Sequence, residues 1–166
     1  MDSDMHPDDF NEELRIQSLC ALGLLDTPQE DRFDRITRLA AKAFAVPIAL
    51  VTMVDGSRQW FKSKVGLEID GTPRSQAFCS HAILQGGTLI VPDATRDPRF
   101  ADNPLVTGDP GIRFYAGEPI YTPDGYAVGT ICLIDRQART LSAEEQSLLK
   151  DLANMVQEQL ALYPIP

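Results

Sequence analysis

Residues 112–135, IRFYAGEPIYTPDGYAVGTICLID, decide the fold of this chain. Two runs rich in β-forming residues flank Thr122-Pro123-Asp124-Gly125, where proline presets φ at the first turn position and glycine accepts the left-handed geometry that closes a hairpin. Residues 126–134 are apolar at almost every position, as in a strand covered on both faces, whereas residues 112–121 include Arg113 and Glu118. We therefore predict a hairpin whose second strand is central in the sheet and whose first strand borders something polar.

A long helix is predicted directly after this hairpin. Ser142-Ala143-Glu144-Glu145 has the pattern of a capping box, and the helix is expected to run to about Leu162. Its apolar residues form two stripes: Leu149, Leu152, Ala153, Val156 and Leu160 in one, Leu148, Met155 and Leu162 in the other. Periodicity leaves two interpretations open, because the second stripe either contacts the first helix or a partner subunit, or belongs to one wide buried face. In both cases hairpin and helix form an α+β unit.

Upstream of the hairpin, the sequence predicts two helices, a first hairpin, a short helix and a short strand. These are a helix at Phe10–Leu22, a helix from Thr27 to Val46-Pro47, strands at Ile48–Val54 and Arg58–Val65, a polar loop at Gly66–Ser75, a helix at Gln76–Gln85 and a strand at Thr88–Val91. The second helix is predicted to begin with a capping box in Thr27-Pro28-Gln29-Glu30. Alternation along a strand sends Trp60 and Phe61 to opposite faces, so one of them is expected to be exposed or in an interface.

Composition narrows the classes of function. The 166 residues, 43% of them hydrophobic, fit one domain that buries its own core. Three cysteines at scattered spacings, with no signal peptide and no long apolar segment, predict a reduced, cytoplasmic protein without membrane contact. A formal net charge of −9 disfavours nucleic-acid binding. No metal site is expected, because His6 lies in a terminal tail and leaves His81 without a clustered partner.

Five runs of residues carry a family resemblance. They are LGLLDTP (22–28), FCSHAI (78–83), VPDATRDPRF (91–100), FYAGEPI (114–120) and GTICLID (129–135). In this order, and with this succession of helices and strands, they resemble the GAF domain, especially the modules found ahead of bacterial histidine kinases and diguanylate cyclases. The resemblance implies a six-stranded antiparallel sheet, N- and C-terminal helices packed on one face, a ligand pocket on the other, and homodimers through those helices. We expect a single GAF domain at 10–163 between tails at 1–9 and 164–166.

The candidate pocket residues supply apolar walls or hydrogen bonds where the resemblance places the pocket. They are Phe78, His81, Arg96, Phe100, Phe114, Tyr115 and Glu118. Arg96 and Arg113 are candidates for an anionic group of the ligand, because guanidinium binds carboxylates bidentately. The alternative for the aromatic residues is ordinary core packing, and His81 either lines the pocket or bonds nearby backbone. Asp93 and Asp97, in the long loop at 92–111, are expected to hold turns of the loop.

Cys79 and His81 are the first candidates for a catalytic pair, since a thiol near an imidazole can become a nucleophile. Residues two apart on a helix point in nearly opposite directions, so these two side chains are not expected to meet. Cys79 shares a helix face with Ala82 and Ile83 and is interpreted as a small buried residue.

The same resemblance allows three specialised kinds of GAF domain to be weighed. Bilin-binding GAF domains use a Cys-His pair that follows the segment corresponding to 91–93, whereas Cys79 precedes it, which argues against a chromophore. Free methionine-R-sulfoxide reductases use a cysteine in the segment corresponding to 93–111, which contains none here. The Asn-Lys, Phe and Asp-Glu pattern of cyclic-nucleotide GAF domains is also missing. We therefore expect no cofactor.

These features favour a small-molecule-sensing regulatory module in signal transduction, acting through dimerisation of its terminal helices. We expect it not to be an enzyme, and, because few residues follow Leu162, to be free-standing and to act in trans on a histidine kinase or a cyclic di-GMP enzyme. Two alternatives stay open. One is a thiol-dependent reductase of a small oxidised metabolite such as free methionine sulfoxide, which would need Cys79. The other is a ligand-free interaction and dimerisation module.

Overall fold

The computed structural model describes residues 7–163 as an α+β fold built on one six-stranded sheet. The helices are α1 (Pro7–Ala21), α2 (Asp31–Phe44), α3 (Phe78–Gln85), α4 (Pro104–Thr107) and α5 (Ala143–Leu160). The strands are β1 (Ile48–Val54), β2 (Arg58–Val65), β3 (Gly71–Pro73), β4 (Leu89–Val91), β5 (Phe114–Tyr121) and β6 (Ala127–Asp135). Of the tails expected at 1–9 and 164–166, residues 1–6 and 164–166 lie outside the described part of the chain, and α1 already begins at Pro7.

The predicted hairpin lies in the middle of this sheet. The strand order is β3-β2-β1-β6-β5-β4, all pairs are antiparallel, and β6 is flanked by β1 and β5 as its apolar sequence predicted. At the turn, the Thr122 N–H donates to the Tyr126 carbonyl at 2.9 Å, and Gly125 adopts a φ of 93°. This positive φ is why glycine suits the position.

Strand β1 is buried on both faces, because alternate residues belong to two separate hydrophobic clusters. Ala49, Val51 and Met53 pack towards the cluster that contains α2 and α5, which we call the helical face. Ile48 and Leu50 pack towards α3 on the opposite side, which we call the α3 face. The sheet is therefore the middle layer of three, with α2 and α5 on one face and α3 on the other.

Helix α5 confirms the predicted capping box and separates the two apolar stripes. The Ser142 side chain accepts from the Glu145 N–H at 3.1 Å, while the Glu145 carboxylate accepts from the Ser142 N–H at 3.0 Å. The first stripe is buried against the sheet. In the second stripe Leu148 and Met155 are each 38% exposed and Leu162 is 57% exposed, so the interpretation as one wide buried face is wrong for this protomer.

The predicted capping box of α2 is wrong, because residues 27–30 surround a buried lysine instead of opening the helix. The N-cap is Glu30, without a side-chain cap, and the helix begins at Asp31. Lys62 Nζ donates to the Thr27 hydroxyl at 2.8 Å and to the Pro28 carbonyl at 2.7 Å. A buried ammonium needs such acceptors, and the segment supplies them by staying extended.

A bulge in β2 brings this lysine to the helical face. Val51 pairs with Ser63 but Thr52 pairs with Phe61, which leaves Lys62 as the extra residue. The Ser63 hydroxyl then donates to Asp34 on α2 at 2.6 Å, while Lys62 reaches the segment before α2. Both polar side chains therefore face α2, which simple alternation does not predict.

Two further expectations for this region fail. The segment 66–75 is not only a loop, because β3 pairs with β2 and a 3-10 turn follows at Arg74–Gln76. Trp60 and Phe61 do point to opposite faces, but both are buried, at 8% and 7% exposure, because helices cover both sides of the sheet. Within residues 7–163, no helix is long and apolar enough to cross a membrane.

Candidate functional site

A small cavity lies on the α3 face, between the sheet, α3 and the segment that contains α4. Its volume is about 20 Å³, which is room for one water-sized molecule. The lining residues are Leu50, Gln59, Phe78, Cys79, Leu105, Ile112, Tyr115, Cys132 and Ile134. Most of these side chains are apolar, and none belongs to a lysine, arginine, histidine, aspartate or glutamate. Such apolar walls with a few convergent polar groups are typical of small-molecule sites.

Phe78 and Tyr115 form the aromatic part of the cavity lining, and Phe100 packs against Phe78. The Phe78 and Phe100 rings stack at 4.1 Å with 7° between their planes, and the Tyr115 ring lies 5.1 Å from Phe78. His81 touches this cluster from outside, its ring meeting Phe100 edge-on at 4.8 Å while the side chain is exposed. Desolvation and then the charge of Arg99 lower the pKa of His81, so the neutral imidazole is favoured.

The cavity also contains a buried thiol with several hydrogen-bond partners. Cys79 Sγ lies 3.2 Å from the Tyr115 hydroxyl and 3.1 Å from the Thr130 hydroxyl. Burial raises the pKa of Cys79, but hydrogen bonds from Cys132, Thr130, Thr52 and Tyr115 outweigh it and lower the pKa to about 7. Burial and the Cys79 charge raise the pKa of Tyr115, which stays a protonated donor. Cys79 and His81 do not meet, in agreement with the helix geometry.

Gln59 adds a polar group without a partner. Its amide nitrogen donates to the Thr72 hydroxyl at 3.1 Å, whereas its Oε1 is buried and has no hydrogen-bond partner among the described residues. The side chain is 5% exposed and lines the cavity. A buried amide oxygen left unpaired costs free energy, so this position would gain from a hydrogen-bond donor.

Two predicted pocket residues lie on the other side of the sheet. Phe114 belongs to the helical face, with the Arg139 guanidinium 5.4 Å from its ring. Glu118 pairs in register with Ile131, a residue of the helical face, and accepts a hydrogen bond from the Thr88 hydroxyl. Directly paired strand residues share one face, so Phe114 and Glu118 do not join the cavity. Sequence alone did not reveal which alternate residues of β5 face α3.

Arg96 lies on the surface, away from the cavity. Its side chain is 87% exposed and 3.7 Å from Asp93, in an open cleft that Arg139 also lines. Arg113 donates instead to the carbonyls of Val106 and Ile112, both at 3.0 Å, and so supports the loop. Asp93 and Asp97 hold the predicted turns, since they accept from the N–H groups two residues on.

Three polar residues of the site were not singled out from the sequence: Gln59, Thr130 and Cys132. Thr130 and Cys132 alternate along β6 and therefore point to the same face. Gln59 alternates with Phe61 in the same way. The sequence does contain one signal for these residues, because each alternates along its strand with buried apolar residues and must share their face. That signal does not reveal which helix covers the face. Among the described residues, no group of His, Cys, Asp and Glu is arranged to hold a metal ion.

Comparison with known proteins identifies the family. The family model described as GAF domain matches residues 28–160, and the chain belongs to this family. Membership of this family supports a sensory or regulatory module.

One sequence relative and two solved structures illustrate the similarity. A Pseudomonas aeruginosa protein named as a cyclic di-GMP phosphodiesterase is 46% identical over 136 residues, which are 81% of this chain and 23% of that protein. The chain thus spans about a quarter of that relative. A free methionine-R-sulfoxide reductase from Neisseria meningitidis has a TM-score of 0.65 at 16% identity, covering 96% of this chain and 94% of the other. The GAF domain of an Acinetobacter phosphoenolpyruvate-protein phosphotransferase has a TM-score of 0.63 at 14% identity, covering 92% and 93%.

These comparisons correct one expectation. The prediction that the chain is not an enzyme is wrong in light of the relatives, because the sequence relative carries the name of a phosphodiesterase and several structural neighbours are reductases. The structural neighbours, at 12 to 16% identity, share the fold alone. The link to an enzyme therefore rests mainly on the phosphodiesterase.

Proposed function

We propose that this chain is the small-molecule-sensing regulatory domain of a bacterial, cytoplasmic signalling enzyme that hydrolyses cyclic di-GMP. The supporting observation is the 46% identity to a segment of a protein named as a cyclic di-GMP phosphodiesterase. The segment accounts for 23% of that protein, which leaves ample length for a separate catalytic region. Enzymatic function then belongs to the whole protein, and this chain controls it.

The proposed ligand site is the cavity on the α3 face. Phe78 and Tyr115 supply its aromatic wall, Phe100 stacks on Phe78, and His81 meets Phe100 from outside. The lining is mostly apolar and includes the partly ionised Cys79 thiol, so it disfavours an anionic ligand, which would lose its hydration without gaining a cationic partner. Gln59 Oε1 supplies the acceptor for one donor group of that ligand.

Ligand entry would have to move the cover of the cavity, by which we mean α3 and the segment that carries α4. At about 20 Å³ the cavity holds nothing much larger than water, so a metabolite must displace α3 or the segment that carries α4. That displacement is the proposed signal, and it requires that the ligand bind the open arrangement more tightly than the closed one.

A set of charged contacts connects this cover to α1. Arg74 lies in the 3-10 turn directly before α3 and contacts the carboxylate of Glu12 on α1. Its guanidinium also donates to the Asp55 carbonyl at 3.2 Å, while Arg15 of α1 donates to the Val54 carbonyl at 2.7 Å. Movement of α3 would therefore change how α1 is held against the β1–β2 hairpin.

The exposed stripe of α5 is the proposed dimer contact. Leu148 and Met155 lie on one side of the helix, Leu162 follows in the turn after it, and the three are 38 to 57% exposed. Burying them in a second copy would remove apolar surface from water and place the two terminal helices side by side.

A thiol-dependent reductase is the second candidate, favoured by the Cys79 pKa of about 7. It predicts reduction of free methionine sulfoxide with a thiol reductant and loss of turnover in Cys79→Ser. No turnover by the unaltered chain would remove this candidate and leave the sensory proposal intact.

Native mass spectrometry of the protein as purified from cells tests the sensory proposal. We expect dimers that carry a discrete extra mass, and we expect Gln59→Leu to lose that mass. Gln29→Leu, at an exposed position, is the matched control and should retain it. The proposed ligand site would be contradicted if the unaltered chain carries no extra mass. It would also be contradicted if Gln59→Leu and Gln29→Leu retain the extra mass equally.

A further inference from the structure

Cys79 and Cys132 are the two buried thiols of the chain, and they lie against the same cavity from different elements. Cys79 is in the first turn of α3 and is 2% exposed, while Cys132 is in the central strand β6 and is fully buried. Cys79 Sγ contacts the hydroxyl of Thr130, which is two residues from Cys132 on the same face of β6. The Cys79 sulfur therefore lies beside the row of β6 side chains that includes the second thiol.

The surroundings of Cys79 are suited to a thiolate. Two hydroxyl groups, those of Tyr115 and Thr130, lie within 3.2 Å of Sγ and can donate to a negative charge. Thr130 is itself hydrogen-bonded to Thr52 at 3.0 Å, which holds its hydroxyl in place. A buried thiol in purely apolar surroundings would be inert, whereas a hydrogen-bonded one with a pKa of about 7 is ionised in part at neutral pH.

Size decides which oxidant can reach the pair. The cavity holds one water-sized molecule, and its outer wall includes Leu105, which is only half-buried. Hydrogen peroxide is one oxygen atom larger than water and can donate and accept hydrogen bonds. Glutathione disulfide is far too large for this space.

We propose that Cys79 and Cys132 form a peroxide-responsive thiol pair, in which hydrogen peroxide converts the two buried cysteines into a disulfide between α3 and β6.

The chemistry needs only the two thiols and one peroxide. The Cys79 thiolate attacks one peroxide oxygen, so an S–O bond forms, the O–O bond breaks, and the departing hydroxide takes up the proton that Cys79 released. The Cys132 sulfur then attacks the Cys79 sulfenic sulfur, the S–S bond forms, and the S–O bond breaks. The second hydroxide leaves with the Cys132 proton as water. Two electrons pass from the thiols to the peroxide, which becomes two molecules of water.

A disulfide at this position would fasten the cover of the cavity to the centre of the sheet. The link would join α3, which lies over the cavity, to β6, which forms its floor. Peroxide would thus hold the cavity closed whatever small molecule it accepts. This inference does not depend on the proposed ligand or on cyclic di-GMP.

The third cysteine provides an internal control. Cys20 is exposed on α1 and is open to oxidants of any size. The experiment treats the full chain with hydrogen peroxide or with glutathione disulfide, at neutral pH and without denaturant, and maps all three cysteines by mass spectrometry of non-reduced peptides. We expect peroxide to link the Cys79 and Cys132 peptides with loss of two hydrogen atoms, and glutathione disulfide to modify Cys20 alone.

Two substitutions identify the order of attack, both made in a Cys20→Ser background. Cys132→Ala should stop at a Cys79 sulfenic acid, read as the gain of one oxygen atom on the Cys79 peptide, and Cys79→Ser should leave Cys132 unmodified. Far-UV circular dichroism checks that each variant is folded. If either variant is unfolded, the peptide mapping of the unaltered chain tests the proposal by itself. The proposal is overturned if peroxide oxidises Cys20 while Cys79 and Cys132 stay reduced, if they link only in denaturant, or if glutathione disulfide links them equally well.

Discussion

The Lys62 ammonium lies 2.6 Å from the Glu30 carboxylate, with the lysine side chain fully buried and the glutamate side chain 27% exposed. The ammonium donates hydrogen bonds to the Thr27 hydroxyl and the Pro28 carbonyl. Its contact with Glu30 is an ion pair. Removal of one partner of such a pair leaves the other with uncompensated charge. The two partners are unequal here, since only Glu30 can turn towards water.

This asymmetry predicts the ranking of two substitutions. Glu30→Ala should lower the free energy of unfolding by about 2–3 kcal/mol, because it strands a buried ammonium. Lys62→Met should cost less, because it removes the buried charge and keeps most of the side-chain volume. Urea unfolding measures both, with the exposed Glu13→Ala as control. A larger loss for Lys62→Met than for Glu30→Ala would contradict the account.

The contact between Glu12 and Arg74 predicts a pH dependence of stability. Partial burial raises the pKa of Glu12, but hydrogen bonds from Arg15 and Arg74 outweigh it and lower the pKa from 4.5 to about 2. A depressed folded-state pKa stabilises the fold above pH 4.5, and this contribution disappears as the pH falls towards 2.

Glu12→Gln should therefore be less stable than the unaltered chain near neutral pH, and the difference should shrink between pH 4.5 and 2. Urea unfolding at a series of pH values measures it. Glu13→Gln, on the exposed side of α1, controls for the change in net charge. A difference that stays constant across this range would show that Glu12 contributes through something other than its charge.

Close packing of β6 on β1 predicts a steric limit at Gly129. A Cβ atom there would lie 1.8 Å from the Thr52 carbonyl oxygen, which is fixed in the neighbouring strand. Gly129→Ala should therefore cost at least about 3 kcal/mol or prevent folding. Gly87→Ala is the control, since nothing lies within 4 Å of its added Cβ. Equal thermal midpoints for the two variants would refute the packing described for the sheet.

The Tyr115 hydroxyl should control ionisation of Cys79. Removing this donor in Tyr115→Phe is expected to raise the pKa of Cys79 above its value of about 7, because one hydrogen bond to the thiolate is lost. Ultraviolet absorbance of the thiolate during a pH titration measures the shift, with Cys79→Ser as the blank. Tyr126→Phe, away from the cavity, is the matched control. An unchanged titration in Tyr115→Phe would mean that Tyr115 does not stabilise the thiolate.

The exposed stripe of α5 predicts a concentration-dependent dimer. Leu148→Ser combined with Met155→Ser should convert dimers to monomers in sedimentation velocity experiments, because the change removes apolar contact area without touching the buried stripe. Lys150→Ser combined with Asn154→Ser, at exposed positions on a different side of the same helix, is the control. A dimer that survives the first pair would place the subunit contact elsewhere.

The fold followed from the sequence because turns and apolar periodicity are local signals. Strands β1 and β2 have the predicted bounds, and the Ser142 capping box starts α5 as predicted. The start of α2 was missed because Lys62, more than thirty residues away, binds the segment that would otherwise begin the helix. That contact is tertiary, so the sequence of residues 27–30 alone does not reveal it.

The site was predicted less completely, for a related reason. Phe78, Phe100 and Tyr115 lie in one hydrophobic cluster, whereas Phe114, adjacent to Tyr115 in sequence, lies on the opposite face. Which face of β5 meets α3 depends on how the hairpin is placed between two layers, and alternation alone leaves both choices open.

The most direct test of the regulatory proposal is a chimera of the Pseudomonas aeruginosa phosphodiesterase in which this chain replaces the matching 136-residue segment. The rate of cyclic di-GMP hydrolysis should persist, and Arg74→Gln, which breaks the contact between the turn before α3 and Glu12, should change it. Arg38→Gln, at an exposed position of α2, should leave the rate unaltered. If both variants match the unsubstituted chimera, or if deletion of the whole segment has no effect on hydrolysis, this chain does not regulate the enzyme.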